Sequence, residues 1–115
     1  MVSQTSYICR DTLKNLHDAT ENIFYEILTI YIEDANKNIN AMKEEISENN
    51  TEQLFRLAHT LKGSSMNVGA IVTAQLCEAL ENSLNNDQSN IESQVDLIRS
   101  AYEQSLPLLK EYLIN

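Results

Sequence analysis

The chain of 115 residues has no tryptophan, one proline, two glycines and two cysteines, and it sets only eight lysines and arginines against 17 aspartates and glutamates. Each shortage excludes something. So few glycines and prolines leave little material for the turns of an all-β domain, and the balance tips towards helix. Cys9 and Cys77 lie far apart and form no Cys-x-x-Cys or Cys/His cluster, so neither a disulfide framework nor a zinc site is expected. A net charge of −9 argues against nucleic acid or an anionic membrane as partner, since both require a basic surface. No run approaches the roughly 18 apolar residues of a membrane span. The N-terminus also lacks the basic-then-apolar pattern of a secretory signal, which makes the cytoplasm the expected location.

What is present is ordinary globular material, 43% hydrophobic and 22% charged. A chain of this length is the size of one domain, here residues 1–115, and buries roughly 60 to 70% of its unfolded surface in one core. Apolar residues recur at helical spacing. Phe24, Ile27, Leu28, Tyr31, Ala35, Ile39, Met42 and Ile46 form one stripe, which predicts a long helix from Asp18 to about Asn49, opened by an Asp18-x-x-Glu21 capping box. Asn50 or Thr51 offers the cap of a next helix that ends between Met66 and Gly69. Val72, Leu76, Ala79, Leu80 and Leu84 mark another, which gives way to the polar loop from Asn85 to Asn90. Ser89-x-x-Glu92 reads as a second capping box, followed by a helix over Ile91, Val95, Ile98 and Tyr102 that should bend or restart at Pro107. Residues 3–17 suggest a short opening helix, with His17 in the loop after it. The predicted fold is therefore all-α: an antiparallel four-helix bundle with a short additional N-terminal helix across one end, monomeric because its core is complete.

The most informative stretch is Ala58-His59-Thr60-Leu61-Lys62-Gly63-Ser64-Ser65. At about 100° per residue, His59, Lys62 and Gly63 project together, with Phe55 one turn before and Met66 nearby. Leu54, Leu57, Ala58 and Leu61 take the opposite, core-facing stripe, so the histidine points outward. An imidazole that is largely neutral near pH 7 offers a lone pair without a dedicated base. Lys62 supplies a positive charge one turn on, suited to phosphoryl oxygens, and its like charge opposes protonation of His59. Glycine inside a helix costs about 1 kcal/mol against alanine, and room for an incoming protein is a reason to keep Gly63. Ser64 and Ser65 fall nearer the core and read as small groups with back-bonds to the preceding turn.

The run His59-Thr60-Leu61-Lys62-Gly63-Ser64-Ser65-Met66-Asn67-Val68-Gly69 resembles the signature of the histidine-containing phosphotransfer (HPt) family of two-component phosphorelays, without a gap. The helix order agrees over nearly the whole chain, including Ile32-Glu33-Asp34-Ala35 in the long helix. Met66 stands where a small residue is common and Val68 where leucine is common; neither touches the chemistry. The resemblance implies a phosphocarrier that takes a phosphoryl group on Nε2 of His59 and shuttles it between aspartates of receiver domains, those of response regulators and of hybrid sensor histidine kinases. It implies no ATP-dependent kinase activity, and no phosphate-binding glycine loop is present. No cofactor is assigned, because any magnesium would belong to the receiver.

Several residues keep two readings. Glu81 falls where the family often places a polar group near the imidazole and could orient it through Nδ1, or it is a solvated surface glutamate. Phe55 and Met66 either meet a partner or cover a neighbouring helix. The resemblance also brings the first helices into the partner surface without saying which of Tyr7, Ile8 or Leu13 is exposed. A surface histidine without function is the bland reading of His59, and the company of Lys62 and Gly63 weighs against it. The alternative function is a helical docking module that binds receiver or kinase domains and is never phosphorylated. A metal-binding bundle fails for want of ligands, since no Glu-x-x-His pair exists.

Overall fold

The computed structural model describes residues 7–86 and 89–114. Within them the chain forms α1 (Arg10–Thr20), α2 (Phe24–Ser47), α3 (Thr51–Asn67), α4 (Ile71–Asn85) and α5 (Ile91–Lys110), with short 3-10 turns at Glu21–Ile23 and Glu111–Leu113. The long helices pack in a ring: α2 lies against α3 and α5, and α4 against the same two. This is the antiparallel four-helix bundle, with α1 laid across the end where α2 begins and α3 and α5 finish. The residues 3–6 assigned to the opening helix lie outside the described residues.

Three- and four-residue spacing builds the core. Phe24, Leu28, Tyr31, Ala35, Ile39 and Met42 line the buried face of α2 and meet Leu54, Ala58 and Leu61 of α3 and Val95, Ile98 and Tyr102 of α5. Tyr102 donates its hydroxyl to the Ile32 carbonyl at 2.6 Å, tying α5 to α2. Asn50 caps α3 as expected, its Oδ1 accepting from the Gln53 N–H at 3.2 Å.

The α3–α4 corner is pinned by Gly69, whose φ of +79° favours glycine. Its carbonyl accepts from the Cys9 N–H at 2.6 Å, and a Cβ at this position would lie 2.7 Å from the Cys9 carbonyl oxygen. Through this contact α1 is seated beside the C-terminal end of α3.

Several local expectations are corrected. The long helix opens at Phe24, because Asp18 lies inside α1 with its carboxylate held by Lys14 Nζ at 2.9 Å and so caps nothing. His17 is in the last turn of α1, its ring edge against Phe24, with 4.9 Å between centroids. Asn90 takes a left-handed backbone (φ 60°) as the N-cap of α5, so Ser89 lies one residue too early for the capping box with Glu92. Pro107 neither ends nor restarts α5, which continues to Lys110. The missing donor falls in the last turn, where fully buried Leu109 keeps the helix on the core.

The buried face of α4 is also rotated from the apolar pattern. Thr73, Ala74, Cys77, Leu80, Glu81 and Leu84 face inward, while Ala79 is exposed and Val72 and Leu76 are half-buried. Two polar residues thus occupy positions that a purely apolar count passes over. Both cysteines are free, and burial pushes the Cys77 thiol up to about 12.

Candidate functional site

The middle of α3 carries the site. Ala58 and Leu61 are buried, which fixes the helix rotation and turns His59 outward with 66% of its side chain exposed. Across from it on α4, Glu81 is only 5% exposed. Its two carboxylate oxygens take one partner each: Oε2 lies 2.6 Å from His59 Nδ1 and Oε1 accepts from Lys62 Nζ at 2.7 Å. The solvated-surface reading of Glu81 therefore does not describe its position.

Burial alone would push the Glu81 carboxyl up, but the hydrogen bonds from Lys62 and His59 and the charge of Lys62 outweigh it and hold the carboxyl below its ordinary value. The Glu81 hydrogen bond raises the Lys62 ammonium in turn, against the smaller opposing effect of its own desolvation. Near neutral pH the pair is thus carboxylate and ammonium. An ionised carboxylate can only accept, so Nδ1 of the imidazole carries the proton. In the neutral ring this leaves Nε2 as the nitrogen with the free lone pair, on the exposed side.

The Phe55 ring lies nearly parallel to the imidazole, with 8° between planes and 6.3 Å between centroids. Phe55 is half-buried and also packs against the core, whereas Met66 is 59% exposed. At Gly63 a Cβ would meet nothing within 4 Å among the described residues, so no contact there requires the glycine. Ser64 makes a back-bond to the Leu61 carbonyl at 3.3 Å, and buried Ser65 shares a 2.8 Å hydrogen bond with the Tyr31 hydroxyl. Desolvation pushes that hydroxyl far above its usual range, so both serines are occupied with structure.

Two shallow clefts flank the α3 ridge. One, of about 270 Å³, is bordered by Thr12, Lys62, Met66, Ile71, Gln75 and Glu78; the other, of about 200 Å³, by Ile27, Ile30, Asp34, Ser64, Asn67 and Val68. Thr12 of α1 and the exposed Ile30 and Ile71 are additions that the apolar pattern did not single out. A larger cleft of about 470 Å³ lies at the α1 end among Arg10, Lys14, His17, Tyr25 and Tyr112 and shares no residue with the His59 cluster. Among the described residues no group of histidine, cysteine, aspartate and glutamate could hold a metal ion, and no helix is long and apolar enough to cross a membrane.

Helical spacing put His59, Lys62 and Gly63 on one face of α3, with Lys62 read as a charge for phosphoryl oxygens. In the structure Lys62 is committed to Glu81. The signal for this was the phase of Glu81, four residues after Cys77 and three before Leu84 on the buried face of α4.

A family model described as the Hpt domain matches residues 26–113 of the chain. No curated protein sequence matches it. Among solved structures, the crystal structure of histidine-containing phosphotransfer protein B (HptB) from Pseudomonas aeruginosa PAO1 superposes with a TM-score of 0.90. The likeness covers 95% of this chain and 96% of that one at 19% identity, and at that identity it speaks for the fold.

Proposed function

The chain belongs to the Hpt domain family, the histidine phosphotransfer proteins of phosphorelays, and on that premise we propose that residues 1–115 form one Hpt domain that carries a phosphoryl group on Nε2 of His59. The observation that carries this reading is the 2.6 Å contact between His59 Nδ1 and the buried Glu81 carboxylate, with the other face of the ring open to solvent. It supports an imidazole held in one tautomer, with its nucleophilic nitrogen aimed at a partner.

The reaction is a phosphoryl exchange between two nucleophiles. The Nε2 lone pair forms a bond to phosphorus while the bond to the aspartyl oxygen of a receiver breaks, returning that aspartate as a carboxylate. The Nδ1 proton stays in place, so the ring becomes positive as it loads, and the Glu81 carboxylate stabilises that charge. Transfer onward reverses these steps with a second receiver. Lys62 is the cation for the phosphoryl oxygens. Gly63 leaves clearance for the receiver, since a Cβ there would meet none of the described residues within 4 Å, and glycine inside a helix costs about 1 kcal/mol against alanine. Phe55 and Met66 meet the partner beside the site.

The partners are receiver domains of response regulators and hybrid sensor histidine kinases. The protein works as a cytoplasmic monomer, a carrier with no kinase chemistry and no cofactor of its own. Phosphorylated receivers incubated with the wild type and with His59→Gln test this directly. Acid-labile, base-stable label on the wild type alone is the expected result. Receiver binding by both proteins with label on neither would favour the silent docking module.

A further inference from the structure

The cleft of about 470 Å³ at the α1 end has the size of a small-molecule site and shares no residue with the His59 cluster, so phosphoryl transfer does not account for it. Its two walls differ in chemistry. Along α1, Arg10, Lys14 and His17 stand at i, i+4 and i+7 and line one face over two turns. In a chain with only eight lysines and arginines and two histidines, that is a concentration of cationic and donor groups. The other wall is aromatic. Buried Phe24 is met edge-on by three rings, with centroids 4.9 Å away for His17, 5.9 Å for Tyr25 and 6.4 Å for Tyr112. Tyr25 keeps 40% of its surface open, so a further planar group can pack there.

The polar groups are arranged to donate. Arg10 gives one N–H to the Tyr112 hydroxyl at 2.9 Å and places its guanidinium carbon 5.7 Å from the centre of the same ring. Because that hydroxyl accepts, its own proton is left for a further acceptor. The ion pairs that occupy the two cations are easily displaced. Arg10 is 3.8 Å from Glu111, and Lys14 pairs with Asp18 one turn on at 2.9 Å, all four side chains being more than half exposed. Exposed pairs of this kind contribute little, and a doubly charged anion outbids a single carboxylate.

We infer that this cleft binds a small aromatic phosphate monoester, of which a mononucleotide is the common cellular form. The ring enters beside Tyr25 and Tyr112, and the phosphate dianion bridges Arg10 and Lys14 and takes the Tyr112 proton. Both halves of the ligand are needed. A bare anion would leave the aromatic wall uncovered and would face Glu111, the carboxylate that borders the cleft. Against a nucleotide, Glu111 has a use, since it accepts from an amino or ribose hydroxyl group. A neutral aromatic would leave Arg10 and Lys14 in their weak pairs. The ligand is no phosphoryl donor, because a monoester carries no activated phosphoryl bond, and binding holds whether or not His59 is loaded.

The test titrates the intact, isotope-labelled protein with adenosine monophosphate, and separately with adenosine and with inorganic phosphate. Proton–nitrogen correlation follows the Arg10 guanidinium and the His17 ring. Saturable shifts at both residues with the nucleotide, and binding roughly tenfold weaker for adenosine or phosphate alone, are the expected result. Lys14→Gln should weaken the nucleotide roughly tenfold as well, and its exposed side chain can be replaced without disturbing the fold. Equal affinity for inorganic phosphate would reduce the cleft to a bare anion site, and equal affinity for adenosine to an apolar one. Either overturns the inference, as does the lack of a saturable shift with all three ligands. Phosphoryl uptake at His59 is read in a separate assay with receivers, so failure here leaves the carrier reading untouched.

Discussion

The two histidines sit in contrasting surroundings. His17 and His59 are comparably exposed, at 53% and 66% of their side chains, and each has a carboxylate nearby. Asp18 is the sequence neighbour of His17, is itself exposed, and lies 3.6 Å from Nδ1, beyond hydrogen-bond length, while its other oxygen is taken by Lys14. Glu81 comes from a different helix, is buried, and meets His59 Nδ1 at 2.6 Å. The His17 ring leans on Phe24, whereas His59 presents an edge to solvent. Accessibility therefore does not by itself orient an imidazole. A fixed acceptor behind the ring does, because it selects the tautomer and the orientation together.

The contrast is broken most severely by removing each ring in turn. His59→Gln should reduce phosphoryl uptake from a receiver to background, while His17→Gln should retain it within about twofold, since nothing around His17 fixes a nucleophile. Equal loss in both would erase the distinction.

Removing the acceptor should cost less. Glu81→Gln leaves a neutral amide that cannot balance a charged ring, and a hydrogen bond to a charged group is worth about 1.5–3 kcal/mol. Transfer should therefore fall roughly ten- to a hundredfold. Proton–nitrogen correlation of the imidazole should show His59 losing its preference for the Nδ1-protonated form.

A smaller effect separates the two glycines. Gly63→Ala should stabilise the fold by about 0.5–1 kcal/mol, because the site is open and helical, while receiver binding weakens. Gly69→Ala should destabilise by about 1 kcal/mol or more, with a Cβ driven into the Cys9 carbonyl oxygen at positive φ. Urea melts beside binding isotherms check both signs.

The smallest expected effect is on pH dependence. The folded Glu81 carboxyl is held below its ordinary value of 4.5. Its contribution to stability is thus complete above that value and is lost as pH falls through the lower, folded one. Glu81→Gln should show a shallower decline of stability in that acid window than the wild type, read from urea melts across the acid range.

Much of this was legible in one dimension. The α2 stripe from Phe24 to Met42 is apolar at every core position, so its period announced both the helix and its inner face. The motif around His59 was equally readable, since residues three and four apart on a helix share a face. The start of α2 was not, because Asp18 satisfies both a capping pattern and an i,i+4 pair with Lys14, and only the packed chain shows which prevails. Nor was the rotation of α4, whose inner face includes the polar Thr73 and Glu81.

The sequence by itself determined the helical class, the bundle and an outward histidine with Lys62 and Gly63 beside it, because periodic burial and i,i+3/i+4 neighbours are properties of a single helix. The tertiary structure alone decided that Glu81 would be buried between His59 and Lys62. That contact depends on the rotation of α4 against α3, and helix rotation is set by how two surfaces interlock rather than by either pattern alone.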